Sequence, residues 1–156
     1  MHITPANIED AQSILDLQKL AFSKFPKYLD PQLQTVQEVA QQIMHNTVLV
    51  GTVDGEIVGS VRAYVSGAPD DTSCHIGRLI VHPVHARKGY GRQLMDELER
   101  RFAHVQRFQL FTGVEGNQTT IDMYSRFGYR EVRRGYRGNE EEVFMEKINP
   151  QISARP

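Results

Sequence analysis

The stretch Ser73-Cys74-His75-Ile76-Gly77-Arg78-Leu79-Ile80-Val81-His82-Pro83-Val84-His85-Ala86-Arg87-Lys88-Gly89-Tyr90-Gly91-Arg92-Gln93-Leu94-Met95 decides the fold. Ser73 to Val81 reads as a strand ending in the apolar run Leu79-Ile80-Val81, and Pro83, which cannot donate to a ladder, stops it. From Tyr90 the spacing turns helical: Leu94, Met95, Leu98 and Phe102 form one stripe, opposed by Asp96, Glu97, Glu99 and Arg100. Between strand and helix lie Gly89 and Gly91, which have no Cβ to hold a ligand away from the backbone. The first turn of a helix leaves N–H groups without intrahelical partners, and its dipole favours negative charge there. The combination predicts a phosphate or pyrophosphate cradle, with Arg87, Lys88 and Arg92 adding charge. The plainer alternative is a helix start that needs glycine only for its turn.

Charge concentrates in the same window. The chain has 156 residues, with 18 Lys+Arg against 19 Asp+Glu and a net charge of −1, which argues against a nucleic-acid binder. Yet no acidic residue lies between Asp71 and Asp96, where Arg78, Arg87, Lys88 and Arg92 fall. One basic window in a neutral chain suggests a local anionic ligand, and a solvated loop balanced by distant acids is its rival.

Outward from this window, the length suits one domain, expected over 1–148 with a tail over 149–156. Cys74 is the single cysteine, which excludes an internal disulfide framework and fits a reducing compartment. No apolar stretch approaches the ~20 residues of a spanning helix, and Met1-His2-Ile3-Thr4-Pro5 lacks signal-peptide character. A soluble, cytoplasmic protein without membrane partners is expected. Ile3 belongs to a first strand, and Asn7 with Asp10 caps a helix carrying Ile14, Leu15, Leu17, Ala21 and Phe22. A second helix carries Val36, Val39, Ala40 and Ile43; both Asp30-Pro31 and Thr35 with Glu38 look like its start. Asp54-Gly55 predicts a hairpin between strands 47–53 and 56–65. Arg107 to Thr112 reads as a strand, Asn117 to Phe127 as a helix, and 129–133 and 143–148 as closing strands. The order β-α-α-β-β-β-α-β-α-β-β gives an α/β fold with a mixed sheet of about seven strands.

The nature of the cradle narrows by elimination. A dinucleotide fingerprint needs a third glycine where Leu94 stands, and a P-loop needs Gly-Lys-Ser/Thr, which is absent. A pyrophosphate bound by backbone amides remains. Here the chain resembles the GCN5-related N-acetyltransferases, whose central motif is a strand ending Leu-x-Val, a proline, then (Gln/Arg)-x-x-Gly-x-(Gly/Ala). The matching residues are Leu79-Ile80-Val81, Pro83 and Ala86-Arg87-Lys88-Gly89-Tyr90-Gly91, with Ala86 departing from the usual Gln or Arg. A second motif, Asn-x-x-Ala-x-x-(apolar)-Tyr followed by Gly-(Phe/Tyr), is matched by Asn117 to Tyr124 and Gly128-Tyr129, with Thr120 in place of Ala. The resemblance spans roughly 1–148.

That resemblance implies acetyl-CoA as co-substrate, bound where strands 4 and 5, ending at Val81 and Thr112, splay apart. Leu79 and Val81 would pair with the pantetheine, an N–H near Ile80 or Val81 would polarise the thioester carbonyl, and Arg87, Lys88, Gly89, Tyr90, Gly91 and Arg92 would hold the pyrophosphate, with Asn117 among the cofactor-binding residues. It implies Tyr124 as the acid that protonates the departing thiolate. The family's usual glutamate base is missing around His75-Ile76-Gly77-Arg78, so Glu115, His75 and ordered water are the candidates for that step. The implied activity is direct acetyl transfer to a primary amine of a small molecule or peptide, with homodimers common in the family.

Other residues have plainer readings. Cys74 is expected in the core. His75, His82 and His85 lack metal-ligand spacing, so no metal is expected. Residues 22–35, with Phe22, Phe25, Tyr28 and Leu29, and residues 133–142, with Tyr136, are the candidate substrate walls. Arg133, Arg134 and Arg137 read as a solvated loop, with contact to the CoA 3′-phosphate or an acidic substrate as the sharper option. A non-catalytic acyl-CoA-binding regulatory module and a protein or peptide N-acetyltransferase are the rival functions.

Overall fold

The computed structural model describes residues 1–21 and 34–153. Seven strands form one mixed sheet in the hydrogen-bonded order β1-β2-β3-β4-β5-β7-β6. They are β1 (His2–Pro5), β2 (Thr47–Val53), β3 (Glu56–Ala68), β4 (Asp71–Val81), β5 (Arg107–Gly113), β6 (Arg130–Arg137) and β7 (Glu140–Ile148). The helices are α1 (Ala11–Ala21), α2 (Val36–His45), α3 (Tyr90–Arg101), α4 (Gln118–Arg126) and the short α5 (Pro150–Ser153). Up to β7 this is the predicted order of elements. No helix among the described residues is long and apolar enough to cross a membrane.

The chain divides into two compact units, Met1–Tyr64 with Gly77–Arg101, and Val65–Ile76 with Phe102–Pro156. In the first, Ala11, Ile14, Leu15, Val39, Val48 and Val50 make a buried cluster under α1 and α2. The start of α2 is Thr35: its hydroxyl accepts from the Glu38 N–H at 3.2 Å, while the Glu38 carboxylate accepts from the Thr35 N–H at 3.2 Å. Asp30-Pro31, the other expected start, and Phe22, Phe25, Tyr28 and Leu29 of the expected substrate wall lie outside the described residues. The stripe of α3 is buried as its spacing predicts, with Leu94, Met95 and Leu98 inaccessible to solvent. Its packing is tight, because a Cβ on Gly59 of β3 would come within 2.8 Å of Leu94 Cδ1.

In the second unit β5 pairs with β7 along its whole length, from Arg107↔Ile148 to Gly113↔Glu142. Its alternate residues Phe108 and Leu110 are buried with Val143 and Met145 of β7. The β4–β5 ladder is parallel and has three pairs, Ser73↔Arg107, Cys74↔Phe108 and His75↔Gln109. Residues 133–142, read from the sequence as a loop, instead form the paired strands β6 and β7 around a turn at Gly138 and Asn139. Their run of arginines and glutamates hides the alternation. In the hairpin those charges pair across the strands, Arg137 with Glu142 at 2.9 Å and Arg134 with Glu141 at 3.2 Å, and Gly138 takes the left-handed turn conformation (φ 60°).

Asn149, where the sequence suggested that a tail begins, is fully buried. Its side-chain amide donates to the carbonyls of Val105 (2.8 Å), Phe102 (3.1 Å) and Ala103 (3.3 Å), and its backbone N–H donates to Gln106 (3.0 Å). Asn149→Ala, which strips those carbonyls of their donor, is expected to cost about 2–3 kcal/mol in urea unfolding. Asn139→Ala at the exposed turn should stay within about 0.5 kcal/mol.

Candidate functional site

The candidate residues fall on both units. On the first, β4 runs out through Leu79, Ile80 and Val81, with Ile80 buried and its two neighbours half-buried. The strand is tied down at its end by the His82 N–H, which donates to the Val58 carbonyl at 2.7 Å. A single helical turn at Pro83–His85 comes next, capped by the His82 ring, whose Nδ1 accepts from the Val84 N–H at 3.1 Å. The Lys88 ammonium donates to His85 Nδ1 at 3.1 Å, and the His85 ring lies 5.8 Å from that of Tyr90. The basic loop is thereby bound to the turn before it.

Arg87 (φ 63°) and Gly89 (φ 81°) both adopt the left-handed conformation, which glycine takes freely and arginine at a cost of about 1–3 kcal/mol. A Cβ built on Gly89 meets nothing within 4 Å, so the loop presents bare backbone to open space. Arg87, Lys88 and Gly89 are exposed, and the first turn of α3 contains no acid. Of its first amides, that of Gln93 closes onto the Gly89 carbonyl at 3.1 Å. An exposed glycine backbone, the positive end of a twelve-residue helix and the cations Arg87, Lys88 and Arg92 thus come together, an arrangement whose chemistry can hold an anion. Ala86, the departure from the family pattern, is exposed and its amide closes the turn onto Pro83.

One residue of β4 breaks the strand's geometry. Arg78 has φ 53°, left-handed in the middle of a strand. Strand alternation would place it on the face where Cys74, Ile76 and Ile80 are buried. Arg78 itself is half-buried. Nothing in the residue string marks such a break, since arginine is not a left-handed former.

On the second unit, Tyr124 is buried on α4 among the rings of Tyr129 (centroids 6.0 Å apart) and Phe127 (6.2 Å). Burial pushes its hydroxyl up to about 12, so it stays protonated and able to donate throughout the ordinary pH range. Asn117 is buried at the start of α4, and its amide donates to Thr112 Oγ1 and to the Gly113 carbonyl, each at 2.8 Å. Both of its amide hydrogens are therefore engaged on the β5–α4 turn, and its backbone carbonyl accepts the Thr120 and Ile121 amides. The structure thus places Asn117 as the brace that sets α4, and with it Tyr124. Glu115 is exposed on the same turn. His75 is half-buried on β4, its Nε2 2.6 Å from Ser66 Oγ, and burial lowers its pKa below the ordinary 6.5. Cys74 is buried with a free thiol, the packing role expected of it.

Comparison with known proteins places the fold in a family. The profile of a family described as Acetyltransferase (GNAT) family matches residues 12–129. Mycothiol acetyltransferase of Amycolatopsis mediterranei (strain U-32) is 27% identical over 94 residues, covering 60% of this chain. The chain spans 31% of that relative's length. Among solved structures, an aminoglycoside 6′-N-acetyltransferase complexed with coenzyme A superposes with a TM-score of 0.77, at 18% identity over 100% of this chain and 99% of that one. Ribosomal-protein-alanine N-acetyltransferase from Brucella melitensis gives 0.78, at 21% identity over 95% and 99%. At these identities the structural likeness establishes a common fold.

The depressed pKa of His75 carries a testable sign. Folding disfavours its protonated form, so its contribution to stability is present above the unfolded value of 6.5 and is lost as pH falls below it. Denaturant unfolding measured between about pH 5 and pH 7 is expected to show a shallower loss of stability with acid in His75→Gln than in the parent chain.

Proposed function

Because the chain belongs to the acetyltransferase (GNAT) family, we propose that it moves an acetyl group from acetyl-CoA to a primary amine of a small molecule or peptide, directly, in a ternary complex. The observation that carries this reading is the bare glycine backbone at the start of α3, after β4 and the turn that follows it, and inside the matched segment. A pyrophosphate fits that cradle by the chemistry of its donors: amides of Gly89, Tyr90, Gly91 and Arg92, and the cationic groups of Arg87, Lys88 and Arg92. Leu79 and Val81 are assigned to the pantetheine amides, with the N–H of Ile80 or Val81 as donor to the thioester oxygen. Asn117, assigned from its motif to cofactor binding, acts in this scheme through α4.

In the transfer step the amine nitrogen bonds to the thioester carbon and the carbon–sulfur bond breaks. The sulfur leaves with the electron pair and takes a proton, and the ammonium formed on the acceptor loses one. Tyr124 is assigned as the donor to sulfur, a role that a permanently protonated hydroxyl suits. The acceptor must shed a proton before attack, since an alkylamine near 10.4 is almost wholly charged at pH 7. His75, neutral at that pH, and Glu115 are assigned to this proton, directly or through water. The buried free cysteine suits a reducing compartment, and we place the protein in the cytoplasm.

Two experiments test the reading. Calorimetric titration with acetyl-CoA is expected to show one saturable site; absence of binding would remove the proposal. Tyr124→Phe is expected to lower kcat at least about tenfold with the KM for acetyl-CoA little changed. Binding without CoA release across a broad amine panel would instead favour the regulatory acyl-CoA-binding module.

A further inference from the structure

Most arginines of the described residues that meet a carboxylate do so at the surface: Arg92 with Asp96, Arg100 and Arg101 with Glu97, Arg107 with Asp71, Arg134 with Glu131 and Arg137 with Glu142. Arg62 on β3 is different. It is half-buried, and among the described residues no ion pair includes it. Its guanidinium lies against the backbone of β4, because a Cβ added to Gly77 would be 3.6 Å from Arg62 Nε and 3.9 Å from Nη2. The next residue on β4 is Arg78, whose backbone is left-handed.

Two cations therefore stand side by side within one unit, at a threefold cost in stability. Burial disfavours both charges, and the field of Arg62 adds to burial in holding Arg78 down to about 10. The third cost is the left-handed conformation of Arg78 itself, about 1–3 kcal/mol. A half-buried Arg62 with no carboxylate partner among the described residues, beside a like charge, is an arrangement that an anion from outside the chain would stabilise. Gly77 puts no side chain against the guanidinium. Arginine's planar fork binds the two oxygens of a carboxylate or phosphate together. The pair is distinct from the cations assigned to pyrophosphate, since it lies within the strands rather than on the exposed loop after them.

We propose that Arg62, with Arg78 beside it, binds an anionic oxyacid group on the acceptor, so that the preferred substrates are amines that also carry a carboxylate or a phosphate. This rests on the acetyltransferase reading and names the substrate class of that same site. Arg62 acts by contact with the acceptor's anion and sets which amines are turned over.

The test pairs probes that differ only in the anion. CoA release is followed with 4-aminobutyrate against 4-aminobutyramide, and with O-phosphoethanolamine against ethanolamine, while acetyl-CoA binding is measured separately by calorimetry. At least one anionic probe is expected to exceed its neutral twin about tenfold or more in kcat/KM, and the arm that does so identifies the anion. Arg62→Met should abolish that preference by raising the KM of the anionic probe at least about tenfold, with acetyl-CoA affinity unchanged within about twofold. Arg62→Lys, which keeps the charge and loses the fork, should restore part of it. Matching melting temperatures for the variants exclude a folding defect as the cause. Equal turnover of both twins, a preference that survives Arg62→Met, or acetyl-CoA binding with no turnover of either anionic probe would overturn the inference and leave the acetyltransferase reading standing. Failure to bind acetyl-CoA would overturn the reading beneath it.

Discussion

The parallel ladder between β4 and β5 lasts for three residue pairs, from Ser73↔Arg107 to His75↔Gln109. Backbone N–H and C=O groups in a folded chain must find partners, and a strand that leaves one ladder has to be held by another. Here the end of β4 is held from the other side, by the His82 N–H on the Val58 carbonyl, and β5 is held along its length by β7. The course of β4 toward the glycine loop depends on that arrangement. The left-handed Arg78 comes just after the ladder ends, and the strand then delivers Leu79, Ile80 and Val81 to the turn that leads into the loop.

Both units hold surface ion pairs, the first along α3 and the second across β6 and β7. In the second, arginines and glutamates meet across β6 and β7, and two arginines also stack on aromatic rings, Arg133 at 3.8 Å over Phe144 and Arg137 at 4.7 Å over Phe111. Exposed pairs of this kind contribute little to stability, and what they specify is the register of the hairpin. In the first, the loop cations Arg87 and Lys88 face solvent, while Arg62 and Arg78 sit within the strands with their charges partly desolvated.

Much of this was legible in the residue string. The turn at Asp54-Gly55, the stop at Pro83 and the stripe of α3 are local signals, and all three stand where periodicity and turn chemistry put them. The glycine loop was legible for the same reason: a left-handed Gly89 before a helix is a local requirement. The extents of β6 and β7 were not, because Arg-Arg-Gly-Tyr-Arg and Glu-Glu-Glu show no alternation until each residue is opposed by a partner. The choice between two starts for α2 was likewise open until the Thr35–Glu38 capping box formed.

By itself the sequence determined the order of elements, the glycine loop before α3 and the family, because these rest on neighbours in the chain: hydrophobic period, turn residues and the spacing of two motifs. Tertiary structure decided the rest. Asn149 reads as a polar residue near a chain end and becomes a buried brace only when three distant carbonyls converge on it. Asn117 reads as a motif position, and its amide in fact holds the turn that sets α4. Arg62 and Arg78 are ordinary residues of their own strands, and only the hydrogen-bonding of β3 beside β4 brings their charges together. Hydrogen bonding and desolvation act between residues far apart in the chain, and no local pattern records them.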